Sequence, residues 1–434
     1  METNRITVIG LGFVGLPLSL SFAMKGQAVT GLDVNEALVK DLNQGITHCM
    51  EEYRGKPARD ILRQSLEEGT FKATTSYQEA AAASGIFIVT VGLPVKEGRP
   101  AFDFLEAAMM NLGKVLAKGD IVLIRSTVVP GTTEEKILPI LEQQSGLIGG
   151  VDFFLGYASE RIAEGAAFEE FENMPTVVGG LNKESAERSA AVLRLISQAE
   201  IYIASDIKVV ETAKVLENVS RDVNIAMANQ FAQFCQNLGI DTLETFRIAN
   251  THKRVNLLMP GPGVGGYCLP NAYYYLRPKE LDLHIDLPLL QISRTINDKV
   301  PERIADKVVD MLQGEAKWTA DSQVAVLGLA MKDYSNDDRI SPAHAVCEAL
   351  QNKGSLVRAF DPVVRSDAEY AVDSLEEAVK DADALVILAK QKEFEELRLE
   401  DIKNLMKRKP VLVDTRHLFS KEQAEELGFR VFFI

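Results

Sequence analysis

The chain has 434 residues, 46% hydrophobic and 25% charged, with a formal net charge of −15. That length exceeds what one core serves and calls for two or three domains, while the charge argues against a nucleic-acid or anionic-membrane surface and leaves room only for a local basic pocket. Cys49, Cys235, Cys268 and Cys347 form no CxxC pair and the five histidines show no metal spacing, which reads as a cytoplasmic, metal-free chain without a disulfide framework.

Residues 6–24 are almost wholly apolar and by hydropathy alone resemble a signal or membrane segment. Gly10, Gly12, Gly15 and Pro17 interrupt the run, few residues precede it and no small-residue cleavage site follows. A strand over 6–10, a tight turn through Gly10-Leu11-Gly12-Phe13-Val14-Gly15 and a helix over 16–25 account for it better. Residues 27–33 read as a second strand ending in Asp33, about 20 residues beyond the glycines. This is the dinucleotide fingerprint in its strand–turn–helix–strand setting. Gly10, Gly12 and Gly15, with Phe13 and Val14 between them, bring the backbone to a pyrophosphate. Asp33 accepts hydrogen bonds from the ribose and repels a 2′-phosphate. No Arg or Lys occupies the next few positions, so NAD is expected over NADP.

Strands at 86–91, 120–125, 152–157 and 201–203 continue the alternation. Ligands on such sheets lie beyond the carboxyl ends of the strands, which makes Thr127 a candidate to face cofactor or substrate; a helix-capping role is open equally. The strand at 152–157 runs into Glu160 and Arg161, and a first domain closes near residue 205. From residue 206 a long helix runs without glycine until Gly239, carrying Glu211, Lys214, Asn218 and Arg221 at i, i+3, i+7 and i+10. These four share one stripe, solvated and salt-bridged on a surface helix, or facing ligand if the helix is buried. Asn224 and Asn229 add polarity to an apolar run. Residues 302–312 form a transition helix. Strands at 323–327, 356–360, 384–388 and 411–413, with a helix at 342–352, then restart the α/β rhythm. The fold class is α/β: two Rossmann-like doubly wound domains, 1–205 and 316–434, joined by a central helical region, 206–315. The second sheet lacks GxGxxG and is expected to bind something other than a dinucleotide, with Lys332 and Arg339 available for phosphates or a base.

Residues 260–270 contain four glycines and three prolines, and so suit a loop that brings backbone close to a ligand. Cys268 lies at its far end, where a buried inert thiol and a nucleophile are both admissible.

Together these residues resemble the UDP-glucose/GDP-mannose dehydrogenase family over essentially the whole chain. The carriers are Gly10 to Pro17, Ser126 to Thr133, Glu160-Arg161, the stripe from Lys214 to Asn224, Arg254, the loop ending in Cys268, and Gly328 to Lys332 with Asp337, Arg339, Ser341 and Pro342. The Glu217 to Asn224 phrase and residues 260–266 look most like the UDP-N-acetylhexosamine branch, such as enzymes acting on UDP-N-acetylmannosamine. The resemblance implies oxidation of the C6 alcohol of a nucleotide sugar to a carboxylate with two NAD per sugar, through a thiohemiacetal and a thioester on Cys268. It implies that Lys214 and Asn218 hold the C6 oxygen, and that Thr127 and Glu160 position water or relay protons. Arg161, Arg221, Gly265, Gly266, Tyr267, Lys332 and Arg339 would contact substrate, with Lys332 also near cofactor. Arg254 would reach the substrate of a neighbouring subunit, which implies at least a homodimer built on the long helix. Single oxidation, or nucleotide-sugar binding without turnover, are the other outcomes this fold allows. Ala272 stands where the family has an Asp four residues after the cysteine, and Tyr267 where the branch commonly has His. Leu93, Ala101, Ala158 and Ser159 are further departures.

Overall fold

A computed structural model describes residues 4–163, 165–314 and 322–434. The chain divides into two compact units, Met1–Glu217 with Tyr274–Ile285, and Asn218–Tyr273 with Asp286–Ile434.

The first unit is built on an eight-stranded sheet. In spatial order its strands are Ile201–Ile203, Thr176–Gly180, Phe154–Tyr157, Ile121–Ile124, Ile86–Val89, Arg5–Ile9, Ala28–Leu32 and Phe71–Thr74. All neighbours run parallel except Phe154–Tyr157 against Thr176–Gly180. Parallel strands are covered on both faces, which is why Ile6, Val8, Ile88, Val122, Leu123 and Ile124 read as continuous apolar runs and are fully buried. The order reverses between Arg5–Ile9 and Ile86–Val89, the crevice where such sheets take a ligand. Helix Gly15–Met24 is buried from Gly15 through Ala23, so core packing explains its membrane-like hydropathy. Among the described residues no helix is long and apolar enough to cross a membrane.

The second unit carries a five-stranded, wholly parallel sheet in the order Leu356–Phe360, Gln323–Leu327, Ala384–Ile387, Val411–Asp414, Arg430–Phe433. One face packs under helices Val300–Gly314 and Pro342–Asn352, the other under shorter helices around Phe394 and Ile402. The reading of 342–352 and 356–360 holds to the residue; Arg430–Phe433 is a strand the sequence did not announce. Helix Ile207–Leu238 spans 32 residues.

A buried ion pair anchors that helix within the second unit. The Arg294 guanidinium donates to Asp222 at 2.6 Å, and Asn297 Nδ2 donates to the same carboxylate at 2.8 Å and to the Asp222 carbonyl at 2.9 Å. Burial pushes the Asp222 carboxyl up, against the pull of Arg294 and Asn297. Removing one member of such a pair leaves the other desolvated and uncompensated. Arg294→Ala should therefore lower unfolding free energy by about 3 kcal/mol or more, read as a fall in the urea midpoint. Asp222→Asn, which keeps the shape, should cost less.

Candidate active site

The cofactor end of the first unit is set by three glycines with three separate reasons. Gly10 follows the central strand with φ +94°, and a Cβ there would come within 3.3 Å of the Thr90 backbone. A Cβ on Gly15 would stand 1.8 Å from the Gly10 carbonyl oxygen, so the helix can approach the strand only as glycine. Gly12 meets nothing within 4 Å, the open space a pyrophosphate needs at a helix start. Thr90 Oγ1 donates to the Gly10 carbonyl at 2.7 Å and ties the two strands that flank the reversal. Phe13 is exposed beside His48, with ring centroids 5.5 Å apart, and Val14 packs partly buried against the core. Asp33 Oδ2 accepts the Leu11 amide at 2.7 Å and Oδ1 the Asn35 amide at 2.9 Å, while the side chain stays half-buried at the strand end.

Thr127 is half-buried just past strand Ile121–Ile124 and is not a helix cap, since the following helical turn begins at Thr133. Among the described residues its hydroxyl has no hydrogen-bond partner. Glu160 follows the neighbouring strand and is committed at both oxygens: Arg125 Nε donates at 3.0 Å to one, and the Arg161 and Ile162 amides at 2.7 and 3.1 Å to the other. Arg161 is also engaged, pairing with Glu217 at 2.6 Å and donating to the Pro175 carbonyl at 3.1 Å.

On the long helix the stripe resolves into unequal members. Glu211, Lys214 and Asn218 are buried; Arg221 is exposed. Glu211 is a residue whose task the sequence reading missed. Its carboxylate accepts the Gly131 amide, the Thr133 amide at 2.9 Å and the Thr133 hydroxyl at 2.6 Å, locking the turn that follows Thr127. Burial pushes its pKa up despite these donors. The signal was present as i, i+3 spacing to Lys214, but nothing local links a helix Glu to a Pro-Gly-Thr-Thr turn 80 residues earlier.

In the second unit the glycine-rich loop behaves differently from the expectation of ligand approach. A Cβ on Gly265 would lie 2.7 Å from Pro342 and 2.9 Å from the Ile340 carbonyl; on Gly266, φ +79°, it would lie 2.6 Å from the Met331 sulfur. Contact with the protein itself therefore requires these two glycines. The loop is seated on the turn that carries Lys332, and Tyr267 lies under Arg339, whose guanidinium carbon is 5.2 Å from the ring centre. Arg339 also donates to Asp337 at 2.8 Å. Burial raises the Asp337 carboxyl, but hydrogen bonds from Arg339 and the field of Arg339 and Lys332 outweigh it and hold it below the usual range. Arg416, not foreseen, joins this side: it pairs with Asp333, and a Cβ on Gly261 would be 3.0 Å from its guanidinium. Arg254 is exposed, and among the described residues its backbone amide donates to His252 while its side chain has no hydrogen bond.

Cys268 is not the end of a loop but the first residue of helix Cys268–Leu283. Pro270 fits there because first-turn N–H groups have no helical acceptor. The free amides of that turn can receive negative charge developing on sulfur or oxygen. Of the four cysteines, Cys268 is exposed and the other three are buried. Ala272 is 1% exposed. Leu93, Ala158 and Ser159 are also buried, so these departures sit in packing rather than at open strand ends.

A dinucleotide-type glycine turn with an aspartate at the end of the next strand, in a chain that also presents an exposed cysteine, points to the class of NAD-dependent dehydrogenases. Three models of one family match the chain: its NAD binding domain at residues 4–197, its central domain at 208–299 and its UDP binding domain at 325–421. The chain belongs to the UDP-glucose/GDP-mannose dehydrogenase family. It is 35% identical over 417 residues to UDP-N-acetyl-D-mannosamine dehydrogenase of Pyrococcus horikoshii, covering 96% of each chain. It is 32% identical to UDP-N-acetyl-D-glucosamine 6-dehydrogenase of Pseudomonas aeruginosa, over 98% of this chain and 99% of that one. A solved structure of a Pyrococcus horikoshii UDP-D-ManNAc dehydrogenase superposes with a TM-score of 0.91 at 34% identity, covering 99% of each chain.

Two measurements check this site. An aspartate at the end of the second strand of such a turn repels a 2′-phosphate, so NAD should bind at least about tenfold tighter than NADP, and Asp33→Ala should narrow the gap in dissociation constants. In limited iodoacetamide labelling followed by peptide mass analysis, Cys268 should react first, because Cys49, Cys235 and Cys347 are shielded and burial also pushes the Cys347 thiol well up.

Proposed function

We propose that this enzyme oxidises the C6 alcohol of a UDP-N-acetylhexosamine, of the UDP-N-acetylmannosamine type, to the uronic acid through a covalent intermediate on Cys268. The carrying observation is the exposed thiol at the start of a helix, directly after the loop whose Tyr267 lies under Arg339. The names of the relatives support the sugar class.

NAD, when bound between the Gly12 turn and Asp33, supplies the hydride acceptor for both oxidations, two per sugar. Lys214 and Asn218, one turn apart on the long helix, hold the C6 oxygen and offset its developing negative charge. Once the aldehyde exists, the Cys268 sulfur adds to C6 and the oxygen takes up a proton, giving a thiohemiacetal; its oxidation leaves a thioester. Water then attacks that carbonyl, and the carboxylate and the free thiol separate. Thr127, with its uncommitted hydroxyl, and Glu160 at the adjoining strand end position this water. Lys332, Arg339 and Arg221 hold the nucleotide and phosphates; Gly265, Gly266 and Tyr267 shape the sugar pocket, and Arg161 acts through Glu217. The division of labour follows residues 1–205, 206–315 and 316–434.

Val209, Leu216, Phe231, Phe234 and Leu238 on the long helix are 43% or more exposed, an apolar stripe suited to a second copy. A homodimer on this helix lets Arg254 serve the neighbour's substrate.

Ala272 offers no lone pair to orient water and is itself buried. Thioester formation therefore survives while hydrolysis limits turnover. Stopped-flow mixing with NAD and UDP-N-acetylmannosamine should show a burst of NADH and then a slow phase, with acylated Cys268 visible by intact mass. Cys268→Ser should abolish acid formation. Ala272→Asp should raise the slow phase by about tenfold and leave the burst in place. Full four-electron oxidation by Cys268→Ala would sink the covalent route.

A further inference from the structure

The second unit contains another concavity, of about 570 Å³, between the C-terminal part of the long helix, helix Val300–Gly314 and strand Arg430–Phe433. Cys268, Lys332 and Arg339 do not line it. Its floor is rigid, because Ala232, Val300, Ile304 and Ile434 belong to the core beneath the five-stranded sheet, with Phe432 half-buried against them. Its walls carry cations. Arg303 and Lys307 lie one turn apart on the same helix face, and Lys421 lines the groove as well. Lys307 Nζ is 4.7 Å from the centre of the Phe432 ring.

Arg303 is the informative member. It is half-buried, and among the described residues no carboxylate or carbonyl receives its guanidinium. Burial alone pushes its pKa down, the mark of a cation that has lost water without gaining a counter-charge. Of the three side-chain carboxylates lining the groove, Asp241 caps the next helix by accepting the Glu244 amide at 2.6 Å, and Asp306 pairs with Lys353 at 2.6 Å. Asp310 is left, two turns along the helix from Arg303. A volume in the range of small-molecule sites, an apolar floor with an aromatic edge and an unmatched guanidinium specify a ligand with a flat apolar body and a phosphate-type head. At its inner end the groove reaches Asn229, whose Oδ1 accepts the Gly261 amide at 3.1 Å, at the start of the glycine-rich loop.

We propose that this groove binds a small organic phosphate, separately from the nucleotide-sugar site, and is linked to the glycine-rich loop through the Asn229–Gly261 hydrogen bond.

The test uses the full chain saturated with NAD and UDP, so that both nucleotide sites are filled, titrated calorimetrically with phenyl phosphate. One phenyl phosphate should bind per chain. Inorganic phosphate, lacking the ring, should bind about tenfold more weakly, and phenol, lacking the charge, should give no measurable heat. Arg303→Ala and Lys307→Ala should each loosen phenyl phosphate about tenfold, and Arg303→Lys by less, with basal turnover unchanged. Hydrogen exchange at Gly261 should slow when phenyl phosphate is bound. Absent binding, or binding indifferent to both alanine variants, overturns the site; unchanged exchange overturns the link. If phenyl phosphate does not bind and Arg303→Ala instead lowers the oligomer mass in light scattering, the groove is a contact between copies and the proposal fails. None of these readouts except the turnover control depends on the oxidation chemistry, so failure of the covalent route leaves the binding result intact.

Discussion

Both sheets of this chain are shaped by one constraint: parallel strands buried on both faces can expose chemistry only where they end. A strand that ends must release its chain through a turn whose amides find acceptors, and here a carboxylate at the end of the next strand supplies one. Asp33 accepts the Leu11 amide at 2.7 Å; Asp361 accepts the Leu329 amide at 2.9 Å. Gly10 at φ +94° and Gly328 at φ +90° stand at equivalent points of the two turns. Each sheet thus solves its exit with the same pair of residues, a left-handed glycine and an aspartate one strand over.

Within each unit the candidate residues are held by partners of the same unit. Glu160 is held by Arg125 and two amides, Arg161 by Glu217, Arg339 by Asp337, and the turn after Thr127 by Glu211. Such commitments fix geometry at the expense of freedom, which favours charge stabilisation in place over proton shuttling by mobile groups. Among the described residues the Thr127 hydroxyl and the Arg254 and Cys268 side chains have no such partner.

Much of this was legible in the sequence, because the signals are local. Buried parallel strands write themselves as β-branched runs, and the glycine turn with Asp33 is a pattern within one supersecondary unit. What escaped is non-local. The clamp of Glu211 on residues 131–133, the role of Arg416 beside Asp333 and the packing of Gly265 and Gly266 on Met331 and Pro342 join segments far apart in the chain. Pro270 suggests interruption and so puts Cys268 at the tail of a loop by sequence alone; a first helical turn tolerates proline, and the glycines before it hide the boundary. Strand Arg430–Phe433 is short and half-buried, too weakly patterned to declare itself.

The two aspartates differ in what remains to them. Asp33 stays half-buried with room at its edge, whereas Asp361 is 7% exposed and also receives the Val363 and Val364 amides and the Gln391 side chain. The second sheet keeps the same turn, yet its aspartate has no acceptor capacity left over for a ribose. For an engineer, grafting the missing glycines into the second sheet will not make it a dinucleotide binder; Gln391 and the 361–364 turn must first release the carboxylate. Two sheets of like topology can thus differ in what they bind because one side chain's hydrogen-bonding capacity is spent internally.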